Sequence, residues 1–312
     1  MNESTQTRGR IDRVATAACL GALCCWSLGP IFIAYLTGYV DSRTQNALRY
    51  SVACLFWLPV LMHFMRAGRF DKRTWRRAAL PSVANVAMQS LWATVFYYVG
   101  PAFAVLLTKT SVLWVATFSL VLFADERPLA RSWRFWGGMT LALAGVFGVL
   151  YFREDFAATR TATGIVMALV CAFMWGLYTI SVKVAFRQID SRIGFAVISI
   201  YTVVGLWLVA LLFGEPAQCR AMPLSGWAAV VISGITAIAL GHVFYYTAIK
   251  RIGATIPSLV ILVQPLVVFS VSSVVFRERL NGLQLLFGVV LLGGAALSVW
   301  AQEHLKNPSE GP

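Results

Sequence analysis

One lysine, Lys109, stands inside a long apolar run, about seven residues and so roughly 10 Å from the run's start at the helical rise. On insertion scales an ionisable side chain at mid-membrane costs about 2.5 to 3.5 kcal/mol. All thirteen acidic residues, from Glu3 to Glu310, fall in loops or tails, so no carboxylate within a run can neutralise the ammonium. A drug-for-proton exchange resting on a membrane carboxylate has no residue here to perform it. Four states are open to Lys109: a neutral amine, bonding to Thr108, Thr110 and Ser111, snorkelling to the outer headgroups, or pairing with an anionic substrate. The last gives the residue chemistry and is the expectation adopted.

Other polar and aromatic residues could complete such a site. Asn85, Gln89, Trp92 and Phe96 are spaced to share one helical face, which must meet either a cavity or a neighbouring helix. Cys171, Trp175, Tyr178 and Val182 form a similar stripe. Trp26 and Trp175 each lie about twelve residues into their runs, far from the interface where tryptophan is at home. Two such rings could enclose a substrate and donate indole N–H bonds to it, or could simply fill the core. His242, beside Gly241, could couple transport to protons through a tuned imidazole, or could be a hydrogen-bonding core residue. Gly29-Pro30, Gly176, Pro257 and Pro265 interrupt runs and are expected hinges or static kinks.

The elements that must hold these residues follow from composition. Of 312 residues, 59% are apolar and 12% charged, and the mean hydropathy is +0.72. Soluble domains carry about 25% charged residues, so lipid is the expected solvent. The net charge of +13 is scattered between apolar runs, as topogenic charge is, and no nucleic-acid partner is expected. The six cysteines lack metal-ligand spacing, and neither metal nor cofactor is expected. The sequence has no HExxH, GxSxG or glycine-rich phosphate loop, and an enzyme is not expected.

Continuous apolarity predicts an all-α integral membrane protein of ten transmembrane helices. The predicted runs are Val14 to Leu36, Asn46 to Met65, Ala78 to Tyr98, Ala102 to Ala124, Phe135 to Phe152, Thr163 to Phe186, Ile193 to Phe213, Trp227 to Ile249, Ala254 to Phe276 and Leu283 to Ala301. Eighteen Lys and Arg residues fall on the side of the termini and seven (Arg43, Arg49, Arg153, Arg160, Arg220, Arg277 and Arg279) on the other, which predicts cytoplasmic termini.

The two halves repeat at an offset of about 150 residues. Phe96-Tyr97-Tyr98 pairs with Phe244-Tyr245-Tyr246, Gly100-Pro101-Ala102 stands near Ile252-Gly253-Ala254, and Asp125-Glu126-Arg127 matches Arg277-Glu278-Arg279. Gly138 and Gly145 match Gly288 and Gly294, and Trp26 matches Trp175. Five helices per copy make this an inverted 5+5 repeat, the architecture that lets a central site open to each side in turn. The expected division is tail 1–13, repeat 14–152, linker 153–162, repeat 163–301 and tail 302–312.

With Trp175-Gly176, Gln264-Pro265 and Glu278 followed by Gly288 and Gly294, the chain resembles the drug/metabolite transporter superfamily in its ten-helix EamA-type branch, and within it the bacterial aromatic amino acid exporters. The resemblance implies a monomeric exporter of the bacterial inner membrane, driven by a gradient, with a central cavity lined by spans 1, 3, 4, 6, 8 and 9. The expected substrate is an amino acid or other small carboxylate, with protons as a coupling ion. Exchange of phosphorylated metabolites and multidrug export are the alternatives. The expected substrate-binding residues are Trp26, Asn85, Gln89, Trp92, Tyr97, Lys109, Trp175, Tyr178, His242, Tyr245 and Gln264. Ser27 stands where the second repeat has Gly176, and Leu113 where it has Pro265.

Overall fold

A continuous apolar stretch in lipid can satisfy its backbone only by bonding to itself, and helix is the result. The computed structural model describes residues 12–122, 130–152, 159–186, 189–252, 257 and 260–306, and every regular element among them is helical. Asp125-Glu126-Arg127, Gly253-Ala254, Arg153, Arg187 and the tails beyond residues 12 and 306 lie outside them.

In the first half these elements are α1 (Arg13–Leu36), α2 (Ser42–Arg66), α3 (Arg73–Val95), α4 (Pro101–Thr108), α5 (Ser111–Leu122) and α6 (Trp133–Tyr151). The second half holds α7 (Thr159–Ala185), α8 (Ser191–Phe213), α9 (Leu224–Ser233), a π-helical segment (Gly234–Leu240), α10 (Gly241–Ile252), α11 (Gln264–Val275) and α12 (Gly282–Lys306). Among the described residues, seven helical stretches are long and apolar enough to cross a membrane: α1, α2, Pro101–Leu122, α6, Thr161–Ala185, α8 and Leu224–Ala248. Gln264–Val275 and Gly282–Ser298 are shorter apolar helices. α3 occupies the remaining predicted run and is the least apolar, with Arg73, Arg76 and Arg77 in its first turns and two amides further on.

Several acidic residues set aside above as loop charge start helices. Asp12, Asp41 and Asp190 accept hydrogen bonds from the first free N–H groups of α1, α2 and α8, the groups a helix cannot satisfy itself. The Arg192 side chain holds the Asp190 carboxyl below its usual range. For Asp12 the backbone N–H of Ala15 has the largest part in the same effect, followed by Arg251.

The repeat is visible in the packing. α6 pairs with its mate α12, α2 with its mate α8, and α4 with α11. The contact of α3 with α7 is matched by that of α1 with α10, and the contact of α5 with α7 by that of α1 with α11. Exchanging the halves therefore maps this set of contacts onto itself.

The α6–α12 seam explains Gly138, Gly145 and Gly294, whereas Gly288 faces Leu106 of α4. A Cβ added at Gly145 would lie 2.6 Å from Leu291 Cα, and one at Gly294 would lie 2.9 Å from Ala142 Cα. Only hydrogen at these positions lets the two backbones touch.

A second tie between the halves comes from Glu278. Its carboxylate accepts hydrogen bonds from Ala102 N (2.9 Å) and Phe103 N (3.1 Å), capping the positive end of α4 from the other repeat. Gly100 makes room for this carboxylate. Glu278→Ala should cost about 0.5–2 kcal/mol of stability, the range for a lost cap, and a thermal unfolding curve in detergent checks it. An unshifted midpoint would remove the cap from the account.

One assignment of charge needs correction. Arg49, counted above among the outward loop residues, lies about two turns into α2 and is 2% exposed. The predicted run from Asn46 already contained Arg49, and α2 starts four residues earlier still, just after the Asp41 cap. The Arg49 Nε donates to Ser233 Oγ at 2.8 Å, so Lys109 is not the single cation within the helices.

Candidate functional site

The site grows from two interrupted helices. Between α4 and α5 the backbone tightens at Lys109-Thr110, with Lys109 N bonding to Leu106 O, Thr110 N to Leu107 O and Val112 N to Lys109 O. These are three-residue steps in place of four. The Thr108 and Thr110 hydroxyls turn back onto Val105 O and Leu107 O and occupy carbonyls in the tightened turn. In the second repeat the corresponding turn falls at Leu262-Val263, just before α11. Pro265 opens α11, where its missing N–H does no harm, and it is not an interior hinge. Two interruptions at matching positions are the repeat-transporter pattern for a binding site.

Gln264 joins the two breaks. Its Oε1 accepts a hydrogen bond from Lys109 Nζ at 2.7 Å, and its Nε2 donates to Trp26 O at 2.7 Å. Pro30 explains why that carbonyl is free: four residues on, where a backbone N–H would have bonded to Trp26 O, the proline has none. One amide thus ties the first, fourth and ninth predicted spans together. Among the described residues no carboxylate bridges Lys109, and the group facing its ammonium is a neutral oxygen.

The Trp26 ring leads from this polar knot to an aromatic cluster. Trp26 meets Trp175, its repeat mate, edge-on at 5.6 Å between centroids. Residues equivalent by the repeat can touch only near the axis relating the halves, so this pair lies near that axis. Tyr245 packs on Trp26 at 4.8 Å, His242 at 5.4 Å, and Tyr178 on Trp175 at 5.8 Å. Gly241 makes the approach possible, because a Cβ there would stand 2.6 Å from the Trp26 indole nitrogen. Lys109, Trp26, Trp175 and Tyr245 each keep part of their surface accessible, whereas Tyr178, His242 and Gln264 are buried.

His242 is set by the π-helical segment that precedes it. Its Nδ1 is 2.8 Å from Ile238 O, and Phe195 stacks on its ring at 4.9 Å. Ala239 O, in the same segment, accepts from the Trp57 indole of α2.

Four expected site residues lie elsewhere. Asn85 is fully buried and donates to Tyr50 and Thr202, which places it in the seam between α2, α3 and α8. The Gln89 backbone carbonyl accepts from Asn46 in the same seam, and the Gln89 side chain is buried. Of the two readings left open for that face, helix contact describes both amides. Trp92 packs edge-on against Phe96 at 4.7 Å. Tyr97 bonds to Val40 O and Gln45 just beyond α3, at the Asp41 end of the bundle. The matched triads sit at different depths because the first follows the last residue of α3, while the second lies inside α10.

Sequence reasoning missed Tyr246, whose hydroxyl bonds to that of Tyr178, along with Phe195 and the Arg49–Ser233 pair. Tyr246 stood in the quoted triad, and Arg49 lay within the second predicted run; both signals were in the sequence.

Two halves of one helical design, joined at broken helices around a polar and aromatic centre, define a multi-pass membrane transport protein. The chain belongs to the EamA-like transporter family, whose pattern matches residues 14–151 and again 162–300. It is 24% identical over 147 residues to an uncharacterized transporter of Clostridium kluyveri, a match that covers 47% of each chain. The fold is also that of a protein of known crystal structure, with a TM-score of 0.65 at 19% identity over 94% of this chain and 98% of the other. The chain is thus a multi-pass member of a membrane transporter family.

Proposed function

We propose that the protein exports amino acids or related small carboxylates across the bacterial cytoplasmic membrane by alternating access, with both termini in the cytoplasm. The observation that carries this reading is Lys109, a cation at a helix break whose ammonium faces only the neutral Gln264 oxygen among the described residues. A substrate carboxylate would supply the missing negative charge through a charge-assisted hydrogen bond, stronger than the amide it displaces. The apolar body of the substrate would lie against Trp26, Trp175 and Tyr245, whose rings suit an aromatic side chain.

Counterflow in proteoliposomes tests the reading. Vesicles preloaded with an unlabelled amino acid should take up the labelled form transiently and saturably. Flux linear in concentration would indicate a pore, and a chemically altered product an enzyme.

A further inference from the structure

His242 carries an acceptor that no described residue uses. A carbonyl only accepts, so the short contact between Nδ1 and Ile238 O fixes the ring hydrogen on Nδ1. In the neutral imidazole Nε2 then presents a lone pair. Nε2 is fully enclosed, on a residue 4% exposed, and has no hydrogen-bond partner among the described residues. Around it stand the rings of Trp26, Trp175, Phe195 and Tyr246. Buried acceptors in folded proteins are nearly always satisfied, and the exceptions call for an explanation.

The position of this lone pair relative to Lys109 carries the argument further. Lys109 reaches Trp26 at its backbone carbonyl, through Gln264, whereas His242 meets Trp26 at its indole ring. The two poles are therefore tied to opposite ends of the Trp26 residue, one to its backbone and one to its ring. A substrate lying along Trp26 with its carboxylate at Lys109 would bring the far end of an aromatic side chain, rather than its α-amine, toward His242.

We infer that His242 Nε2 accepts a hydrogen bond from an O–H or N–H at the distal end of the substrate, so that the site prefers phenol- or indole-bearing carboxylates to their donor-free analogues. The inference rests on Lys109 holding the carboxylate, as proposed above. A site built to bond a substrate hydroxyl discriminates strongly against the analogue lacking it, because the buried partner is then left unpaired.

The experiment is a thermal-shift titration of the purified full chain with two matched pairs: tyrosine against phenylalanine, and 3-(4-hydroxyphenyl)propionate against 3-phenylpropionate. In the wild type the hydroxylated member of each pair should bind at least tenfold more tightly. His242→Leu should remove that preference, so that the two members of each pair bind alike, and His242→Gln, which keeps an acceptor, should retain part of it. Lys109→Met should weaken all four ligands alike. Equal affinity within both pairs in the wild type overturns the inference and leaves the Lys109 reading standing, and it needs no variant to fold. Binding by none of the four probes overturns the inference as well. An unchanged response of every ligand in Lys109→Met, with the hydroxyl preference intact, removes the anion reading instead.

Discussion

Lys109→Met should weaken binding of a carboxylate substrate by roughly 10- to 100-fold, the equivalent of about 1.5–3 kcal/mol for a hydrogen bond to a charged group. The fold should survive, because the variant removes a costly internal charge and leaves Gln264 Nε2 on Trp26 O. Lys109→Arg should fall between the two, since a planar guanidinium keeps the charge but not the compact geometry of the ammonium. Titration of the purified variants, followed by counterflow, separates binding from transport. Wild-type affinity in the Met variant would falsify the anion site. Gln264→Leu offers an independent check: it frees Lys109 from its neutral partner and orphans Trp26 O, so stability should drop even where carboxylate affinity rises.

The second large effect is on assembly. Gly294→Val should reduce the yield of folded protein severely. The Cβ would stand 2.6 Å from Gly138 O and 2.9 Å from Ala142 Cα, and these are backbone atoms that cannot rotate away. Overpacking typically costs about 1–3 kcal/mol, and more where nothing can yield. The mirror-image change Gly145→Val meets Leu291 Cα at 2.6 Å and should behave alike. Gly137→Val, on the same helix with open space at its Cβ, should be tolerated. Size-exclusion profiles of the three variants decide it, and comparable monodisperse yields would show that the seam is not a close backbone contact.

Much of this architecture can be read from residues alone. Apolar length marks the spans, because lipid removes every alternative to the helix, and the Trp26 and Trp175 match places two residues that meet on the axis. Lys109 and Gln264 were legible for different reasons, one as a charge out of place and the other through family resemblance. Their bond was not, because it depends on a carbonyl freed by Pro30 and on a break in α4–α5 with neither glycine nor proline at it. Threonine hydroxyls sustain that break, and threonine is common in unbroken helices too. The amide face of α3 was legible as a face but not in its direction, since a cavity and a neighbouring helix demand the same spacing. Arg49 was misplaced because charge near a span end reads as loop, even inside a predicted run.

The π-helical segment carries a consequence for register. A wide turn holds more residues than an α-turn of the same height, so it changes the azimuth of everything after it. Each residue advances an α-helix by about 100°. Rewinding Gly234–Leu240 as ordinary α-helix, with no residue removed, would swing the whole of α10 around its axis by about that angle. His242 and Tyr245 would leave Trp26 together, while every helix kept its length and its place in the bundle. In this protein, composition sets which residues are present at the centre, and the winding of one short stretch decides which of them face it.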